Sequence, residues 1–383
     1  MHGTEFEYTL HGSETRSEGV VAALSAGAPA LGSGESIDSL EGRIIFREVS
    51  VAEEWNATVR ELGGGFPQSW EWGEFRRRQG WRPLRLRDDA NRAAVQLQLR
   101  GIPGLGYFGY APHGPVFEDE EDLPPVLEAL ARSARHRGVT LLKVELRSVE
   151  GAVSGEKLVG YERNPETVQP RTTLVVKVLP DADEQLKALP KDTRYGVRRS
   201  EREGVEVSVT TGDSRDLEDF LRLLEDTARR QEFAVRAPEY YRDFMRDLPA
   251  HLVLARHEGA AVAGAIAVTF GDEAYYLFGA SIPDRQNLYA TYRVQWEVMN
   301  VARRAGATRY DMWGGVPNDP DDRGHPLWGV YQFKRKFGGE IERYAGAYDA
   351  DLFPMRAQVM RLGMRGYTAL QRHRNPHAAS SIE

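Results

Sequence analysis

The chain of 383 residues contains no cysteine. That excludes disulfide bonds, thiolate metal sites and a cysteine nucleophile. No run of about 18 consecutive apolar residues occurs, so no segment is expected to cross a membrane as a helix. The N-terminus lacks a charged start followed by an apolar core, and no secretory leader is expected. These absences together point to a cytoplasmic protein. Histidines number nine, and none cluster at ligand spacing. His325 sits in a loop sequence, Arg323-Gly324-His325, and neither a metal nor another cofactor is expected.

What is present is 41% hydrophobic residues, enough to bury a core in each of two domains, which is also what the length suggests. The formal charge is -7, but the basic residues are clustered. Lys191, Arg194, Arg198, Arg199 and Arg202 form one island, and Lys334, Arg335, Lys336 and Arg343 a second. A third, Arg356, Arg361, Arg365, Arg372 and Arg374, has no acid among it. An acidic protein with basic islands can hold a polyanion locally; each island can also be an ordinary solvated face.

Along the chain, residues 1–42 are rich in Gly, Ser, Ala and Glu and read as a disordered leader. Order begins with a strand near Ile44-Ile45-Phe46. Helices are expected over Ala52–Leu62 and Trp70–Arg78, a strand hairpin over Arg82–Arg87 and Ala93–Leu99, and a strand at Leu105–Ala111. An amphipathic helix over 122–137 precedes a strand at Val139–Leu146. After a glycine-rich crossing (151–160) come a strand at Arg171–Val178, a basic helix over 183–203 and a strand at Val205–Val209. Helices Ser214–Arg230 and Pro238–Asp247 lead to three strands, Leu252–His257, Ala260–Phe270 and Glu273–Gly279. A helix over Ala290–Ala305 and a strand at Arg309–Trp313 follow. The second half repeats the order of the first: helices, hairpin, third strand, helix, strand.

That order resembles an acyl-CoA-type N-acetyltransferase (GNAT) domain present twice. The expected fold class is α/β, a tandem pair of acetyltransferase-like domains with mixed, mostly antiparallel sheets. The expected boundaries are 43–180 for the first domain and 181–345 for the second. A return segment and basic C-terminal helix or tail, 346–383, completes the chain.

Specific motifs carry a closer resemblance. Tyr310-Asp311-x-Trp313-Gly314, Gly329-Val330-Tyr331-x-Phe333-Lys334 and Phe337-Gly338-Gly339 fall within 40 residues. Gln68-Ser69-x-x-Trp72, the Gly114-Pro115-Val116 turn, and the strand from Tyr276 to Gly279 followed by Asn287 add to them. This set resembles the Fem family (FemABX) of peptidoglycan interpeptide-bridge aminoacyltransferases, over roughly residues 44–350. The interval between Val209 and Leu252 leaves no room for the coiled coil that some members carry, so the chain is similar to the compact members.

The resemblance implies a tRNA-dependent aminoacyltransferase. It would add glycine, alanine or serine to the side-chain amine of the third stem-peptide residue of a peptidoglycan precursor, lipid II or UDP-MurNAc-pentapeptide. The ester of aminoacyl-tRNA is already activated, so no ATP is needed. By the same resemblance, Phe333 would stack on the terminal adenine, and Lys334 would neutralise the terminal phosphate or the oxyanion. Arg236 and Tyr240 would contact substrate, with the helix start at Pro238 adding its dipole. A cation at Arg76, on the helix that also carries Trp70, would grip the precursor's diphosphate; Arg77 and Arg78 leave the register open.

Other candidates come from the chemistry. Tyr276, on the strand beside which acetyltransferase-like folds receive the acyl donor, could donate to the reacting carbonyl, with Tyr275 a rival on the opposite face. Glu118 could accept the amine's proton, or belong to a solvated acidic loop. Lys191, Arg194, Arg198, Arg199 and Lys336 could follow the tRNA backbone. The arginine-rich C-terminal helix could lie on an anionic membrane at its inner face, or pack on the body.

Two rival readings stay open. An acyl-CoA-dependent N-acyltransferase would share the fold, but no Arg/Gln-x-x-Gly-x-Gly/Ala run follows Gly279. A non-catalytic tRNA- or precursor-binding protein would not need the Lys334 motif, which is intact.

Overall fold

The computed structural model describes residues 44–150, 158–231, 233–283 and 287–374. The expected leader at 1–42 and most of the glycine-rich crossing lie outside them.

The first half contains β1 (Phe46–Glu48), α1 (Ala52–Glu61), α2 (Trp70–Arg78), β2 (Arg82–Asp88), β3 (Ala93–Ile102), β4 (Gly106–Ala111), β5 (Val116–Phe117), α3 (Leu123–His136), β6 (Val139–Val149), β7 (Glu162–Asn164) and β8 (Thr172–Lys177). The second half contains α4 (Ala182–Ala188), α5 (Lys191–Arg202), β9 (Glu206–Thr210), α6 (Arg215–Gln231), α7 (Pro238–Asp247), β10 (Ala250–His257), β11 (Ala260–Phe270), β12 (Glu273–Ser281), α8 (Ala290–Arg304), β13 (Arg309–Asp311) and α9 (Trp328–Lys334). The chain closes with β14 (Glu340–Asp351) and α10 (Pro354–Arg374).

Local chemistry sets the helix starts. The Ser69 side chain caps α2 by accepting from the Trp72 amide at 3.1 Å. Asp181 does the same for α4, accepting from the Glu184 amide. The single basic helix expected over 183–203 is two helices. Pro190 cannot donate an N–H and forces Leu189 into an extended conformation, with ψ at 149°. The chain turns there before α5 begins.

The strands form one sheet in the order β1-β2-β3-β4-β6-β14-β8-β13-β12-β11-β10-β9. In each half, three antiparallel strands are followed by a helix and a strand that returns parallel, β6 on β4 and β13 on β12. The fold is therefore the expected tandem of acetyltransferase-like units. The strands that join the halves are exchanged. β8, from the end of the first half, pairs with β13 of the second. β14 bridges both: Glu340–Arg343 pairs with β8 and Tyr344–Asp351 with β6. The interval between β9 and β10 holds α6 and α7.

One core belongs to both halves. Trp55, Phe66 and Phe75 pack in the same cluster as Phe220, Phe244, Tyr275 and Trp313. Burying each such side chain stabilises by roughly 1.5–3 kcal/mol. An ion network crosses the same seam. Arg147 on β6 and Arg309 on β13 each donate to Glu273 on β12 at 2.6 Å, and Arg309 reaches Glu342 on β14 at 2.8 Å. Burial pushes the Glu273 carboxyl up, but the Arg147 charge and hydrogen bonds from Arg147, Tyr275 and Arg309 outweigh it and hold it at about 2.

Candidate functional site

A cavity of about 790 Å3 opens where the halves meet. Its walls come from α2, β4 and β6 of the first half, from β12, α8 and α9 of the second, and from α10. It begins where two strands part. β12 and β13 pair only through Glu273–Tyr275 and Arg309–Asp311. Beyond that point Leu277 is an extra residue, because Ile266 pairs with Phe278 and Ala267 with Tyr276. Such a bulge re-aims the side chains around it.

Alternation along β12 decides between the two tyrosines. Tyr275 is fully buried in the core shared by the halves and donates to Glu273. Tyr276 lines the cavity. The Tyr310 hydroxyl donates to the Gln295 carbonyl oxygen, which orients that amide, and Gln295 shares a side-chain hydrogen bond with Tyr276. Burial pushes the Tyr276 hydroxyl up to about 12 against that hydrogen bond, so it stays protonated at neutral pH.

Lys334 is buried at 4% exposure and lines the same cavity. It donates to the carbonyl oxygens of Met312, Trp313 and Gly314 at 2.6, 3.1 and 3.0 Å. Those carbonyls converge because Trp313, Gly314 and Gly315 are all left-handed, with φ of 52°, 65° and 64°. All three ammonium donors are thus committed to the backbone. Burial pulls the amine down to about 7, with Asp311 pulling it back up. Asp311 is itself pushed up to about 6 by burial, against hydrogen bonds from Thr173 and the Trp313 amide. Lys334 holds the 312–314 loop, its Nζ lying 5.5 Å from the Tyr276 ring centre.

In the first half, the helical phase of α2 places its three arginines differently. Arg76 is buried and lines the cavity, with its guanidinium 5.6 Å from the Trp72 ring and 5.2 Å from Trp81. Arg77 and Arg78 are exposed and paired with Glu74 and Asp247. Trp70 is not among the lining residues: its ring carries the Arg85 guanidinium at 3.5 Å, and Trp72 takes the place in the wall. Arg236 and Tyr240 line the cavity together, 5.6 Å apart from cation to ring. Tyr240 is held by Phe75 at 5.1 Å. Gln98 is fully buried in this wall, with neither amide atom hydrogen-bonded. Glu118 is exposed and lies outside the lining.

On the other side, aromatic rings form a ladder from the surface to the cavity. Tyr195 meets Tyr289 at 5.8 Å, Tyr289 meets Tyr292 at 5.6 Å, and Tyr292 meets Phe333 at 6.1 Å. Phe333 lines the cavity, while Tyr195 is 47% exposed. Gly196 permits this packing, since a Cβ there would sit 3.0 Å from Tyr292 and 3.1 Å from Tyr289. Cations flank the ladder. Lys336 lies 5.8 Å from the Tyr292 ring, and Arg199 donates to the Tyr195 hydroxyl at 3.2 Å. The buried side of α5 holds Thr193, Gly196, Val197 and Ser200, which leaves Lys191 and Arg198 exposed and Arg194 half-buried.

Gln295 and Tyr310 were not legible as site residues. Gln295 carries a faint signal, a polar residue buried on a helix face beside Val294 and Val298. Arg361, Met364 and Arg365 of α10 also line the cavity; the sequence marked the two arginines as part of a basic island, not as cavity residues.

Comparison with known proteins places this geometry among relatives. The model of the FemAB family matches residues 152–256 and 253–363. Lipid II:glycine glycyltransferase of Staphylococcus aureus is 24% identical over 375 residues, covering 75% of this chain and 88% of the relative. The crystal structure of FemX superposes with a TM-score of 0.71 at 20% identity, over 82% of this chain and 99% of that one. The structure of L-PGS from Bacillus licheniformis gives a TM-score of 0.50 at 16% identity, over 82% and 96%. The structural likenesses concern the fold.

Proposed function

This chain belongs to the FemAB family, and on that premise we propose that it moves an aminoacyl group from aminoacyl-tRNA to the stem-peptide side-chain amine of a peptidoglycan precursor. The relative named for glycine transfer to lipid II supports the acceptor class. Glycine, alanine or serine is the residue transferred, and the lipid-linked precursor, met at a membrane surface, is the favoured acceptor over the nucleotide-linked one.

The observation that carries the proposal is a single cavity lined at once by Arg76 and Arg236, by Tyr276, and by Phe333 at the inner end of the aromatic ladder. Two arginines suit the diphosphate of the acceptor, because a guanidinium can grip phosphate at two points. A row of rings with flanking cations suits the single-stranded end of a tRNA, where bases stack and phosphates need countercharge. The reacting atoms then meet at Tyr276.

The acceptor amine attacks the ester carbonyl carbon, a C–N bond forms and the carbonyl oxygen becomes an oxyanion. Collapse breaks the bond to the ribose oxygen, which leaves with a proton; the amine nitrogen loses its proton in the same passage. Tyr276 donates to the oxyanion, with Gln295 and Tyr310 holding it in line. One such donor is worth roughly 3–4 kcal/mol. Holding the two substrates in register contributes on the order of 7–11 kcal/mol in favourable cases. Lys334 supports the loop beside the oxyanion.

The test mixes purified protein with lipid-linked precursor and tRNA charged with labelled glycine, alanine or serine. RNase-sensitive label on the precursor is the expected result. No transfer from any charged tRNA to either the lipid-linked or the nucleotide-linked precursor would sink the proposal.

A further inference from the structure

Helix α10 is apolar on two sides. Its inner side carries Ala357 and Met360, which are buried against Trp81, Phe108 and Leu141, with Met364 packed alongside. Its outer side carries Met355, Val359 and Leu362, spaced four and three residues apart and so aligned on one face. They are 85%, 54% and 62% exposed. A globular protein gains nothing in water from such a stripe on an outward helix face, and an exposed apolar face of this kind marks a contact surface.

The charge around the stripe identifies the partner. Between Pro354 and Arg374 there are five arginines and no acidic residue, in a chain whose net charge is -7. Arg356 and Arg365 are exposed on the two flanks of the stripe, while Arg361 is tied to Asp349 and Asp351. An apolar stripe bordered by arginines is the pattern of a helix that lies in a lipid interface, with its apolar residues at the acyl boundary and its cations among anionic headgroups. Beside α10, the β3–β4 hairpin brings Ile102 and Leu105 to the same cluster, half-buried. Among the described residues no helix is long and apolar enough to cross a membrane, so the contact would be a surface one.

We propose that the outer face of α10 docks on an anionic lipid bilayer and thereby holds the first-half side of the cavity at the membrane surface. The helix serves two surfaces at once: Arg361, Met364 and Arg365 line the cavity, and Met355, Val359 and Leu362 face the lipid. The docking claim stands on the helix alone. Its consequence for catalysis rests on the acceptor being lipid-linked, as proposed above.

The experiment is co-sedimentation of the full chain with phosphatidylglycerol-containing vesicles and with phosphatidylcholine vesicles at low and high salt. A Met355→Glu/Leu362→Glu variant and an Arg356→Glu variant run in parallel, with thermal melting to confirm that they fold; all three side chains are exposed. The expected result is partition onto the anionic vesicles only, weakened by salt, and reduced at least about tenfold in the double variant. Wild-type protein that stays in solution with anionic vesicles overturns the proposal. So does equal binding by the double variant, or a wild-type dimer in sedimentation velocity that Leu362→Glu converts to monomer, which would make a second copy the occupant. In transfer assays, the double variant keeps activity on the soluble nucleotide-linked precursor and loses at least about fivefold on precursor embedded in vesicles. Wild type inactive on both precursors would defeat the aminoacyltransferase reading and leave the vesicle result to decide the docking.

Discussion

Tyr276 and Gly279 hold their positions only together: a Cβ on residue 279 would sit 1.8 Å from the Tyr276 hydroxyl oxygen. The bulge at Leu277 brings these two β12 residues into contact, and the missing side chain leaves the space that lets the hydroxyl meet Gln295. Gly279→Ala should therefore act like Tyr276→Phe. Each should lower kcat for aminoacyl transfer by about 100-fold or more, the cost of one oxyanion donor. The double variant should be no worse than either single one, because the same interaction is lost. Steady-state kinetics of the three variants, with melting curves alongside, check this.

Arg76 and Arg77 are neighbours with opposite environments, one in the cavity wall and one in solvent. Arg76→Ala should raise the KM for the precursor by about tenfold or more, the loss expected of a charge-assisted contact. Arg77→Ala should leave it unchanged. A raised precursor KM in the Arg77 variant with none in the Arg76 variant would reverse the assignment.

The aromatic ladder predicts a split between the two substrates. Tyr195→Ala and Lys336→Ala should weaken the charged tRNA by roughly 1–3 kcal/mol where a base stacks, or fivefold and upward in KM. The precursor KM should not move. Lys336→Ala should also flatten the salt dependence of tRNA binding. Titrating each substrate at two salt concentrations separates these effects.

Glu273 ties the halves and makes a pH prediction. Its carboxyl is held at about 2 in the fold against an ordinary glutamate value of 4.5. The unfolded chain therefore binds more protons than the native one between these values. The stabilisation is fully present above about 4.5 and is lost as pH falls toward 2. Denaturant midpoints should drop across that window in wild type, and Glu273→Gln should be less stable at neutral pH with a shallower drop. Breaking a buried pair on one side costs roughly 3–5 kcal/mol.

Much of this protein is determined locally. Pro238 opens a helix, Ser69 caps another, and the glycine-containing turns at 258–259 and 271–272 set three strands side by side, so the repeated order of elements and the tandem fold were legible from hydrophobic period and turn residues. The arginine of α2 that faces the cavity, and the tyrosine of β12 that does, follow from helical phase and strand alternation once the core side is known. From sequence, Arg76 and Tyr276 were named with Arg77, Arg78 and Tyr275 as rivals, and only the packed core separates them.

Other features exist only in the folded chain. The Gln295–Tyr276 contact brings a helix to a strand, and Tyr310 joins it from a third element, so no spacing along the chain signals it. Lys334 reads as a free cation in a basic run, yet the fold spends its three donors on carbonyls some twenty residues upstream. The exchange of β8 and β14 between halves is likewise invisible to local patterns, because strand pairing depends on which edge is open when the chain returns. Sequence thus determined what each segment becomes, since propensity, period and caps act over a few residues. Tertiary structure decided which segments meet, since contacts between distant residues are selected by packing and by the pairing of buried charges such as Glu273 with Arg147 and Arg309.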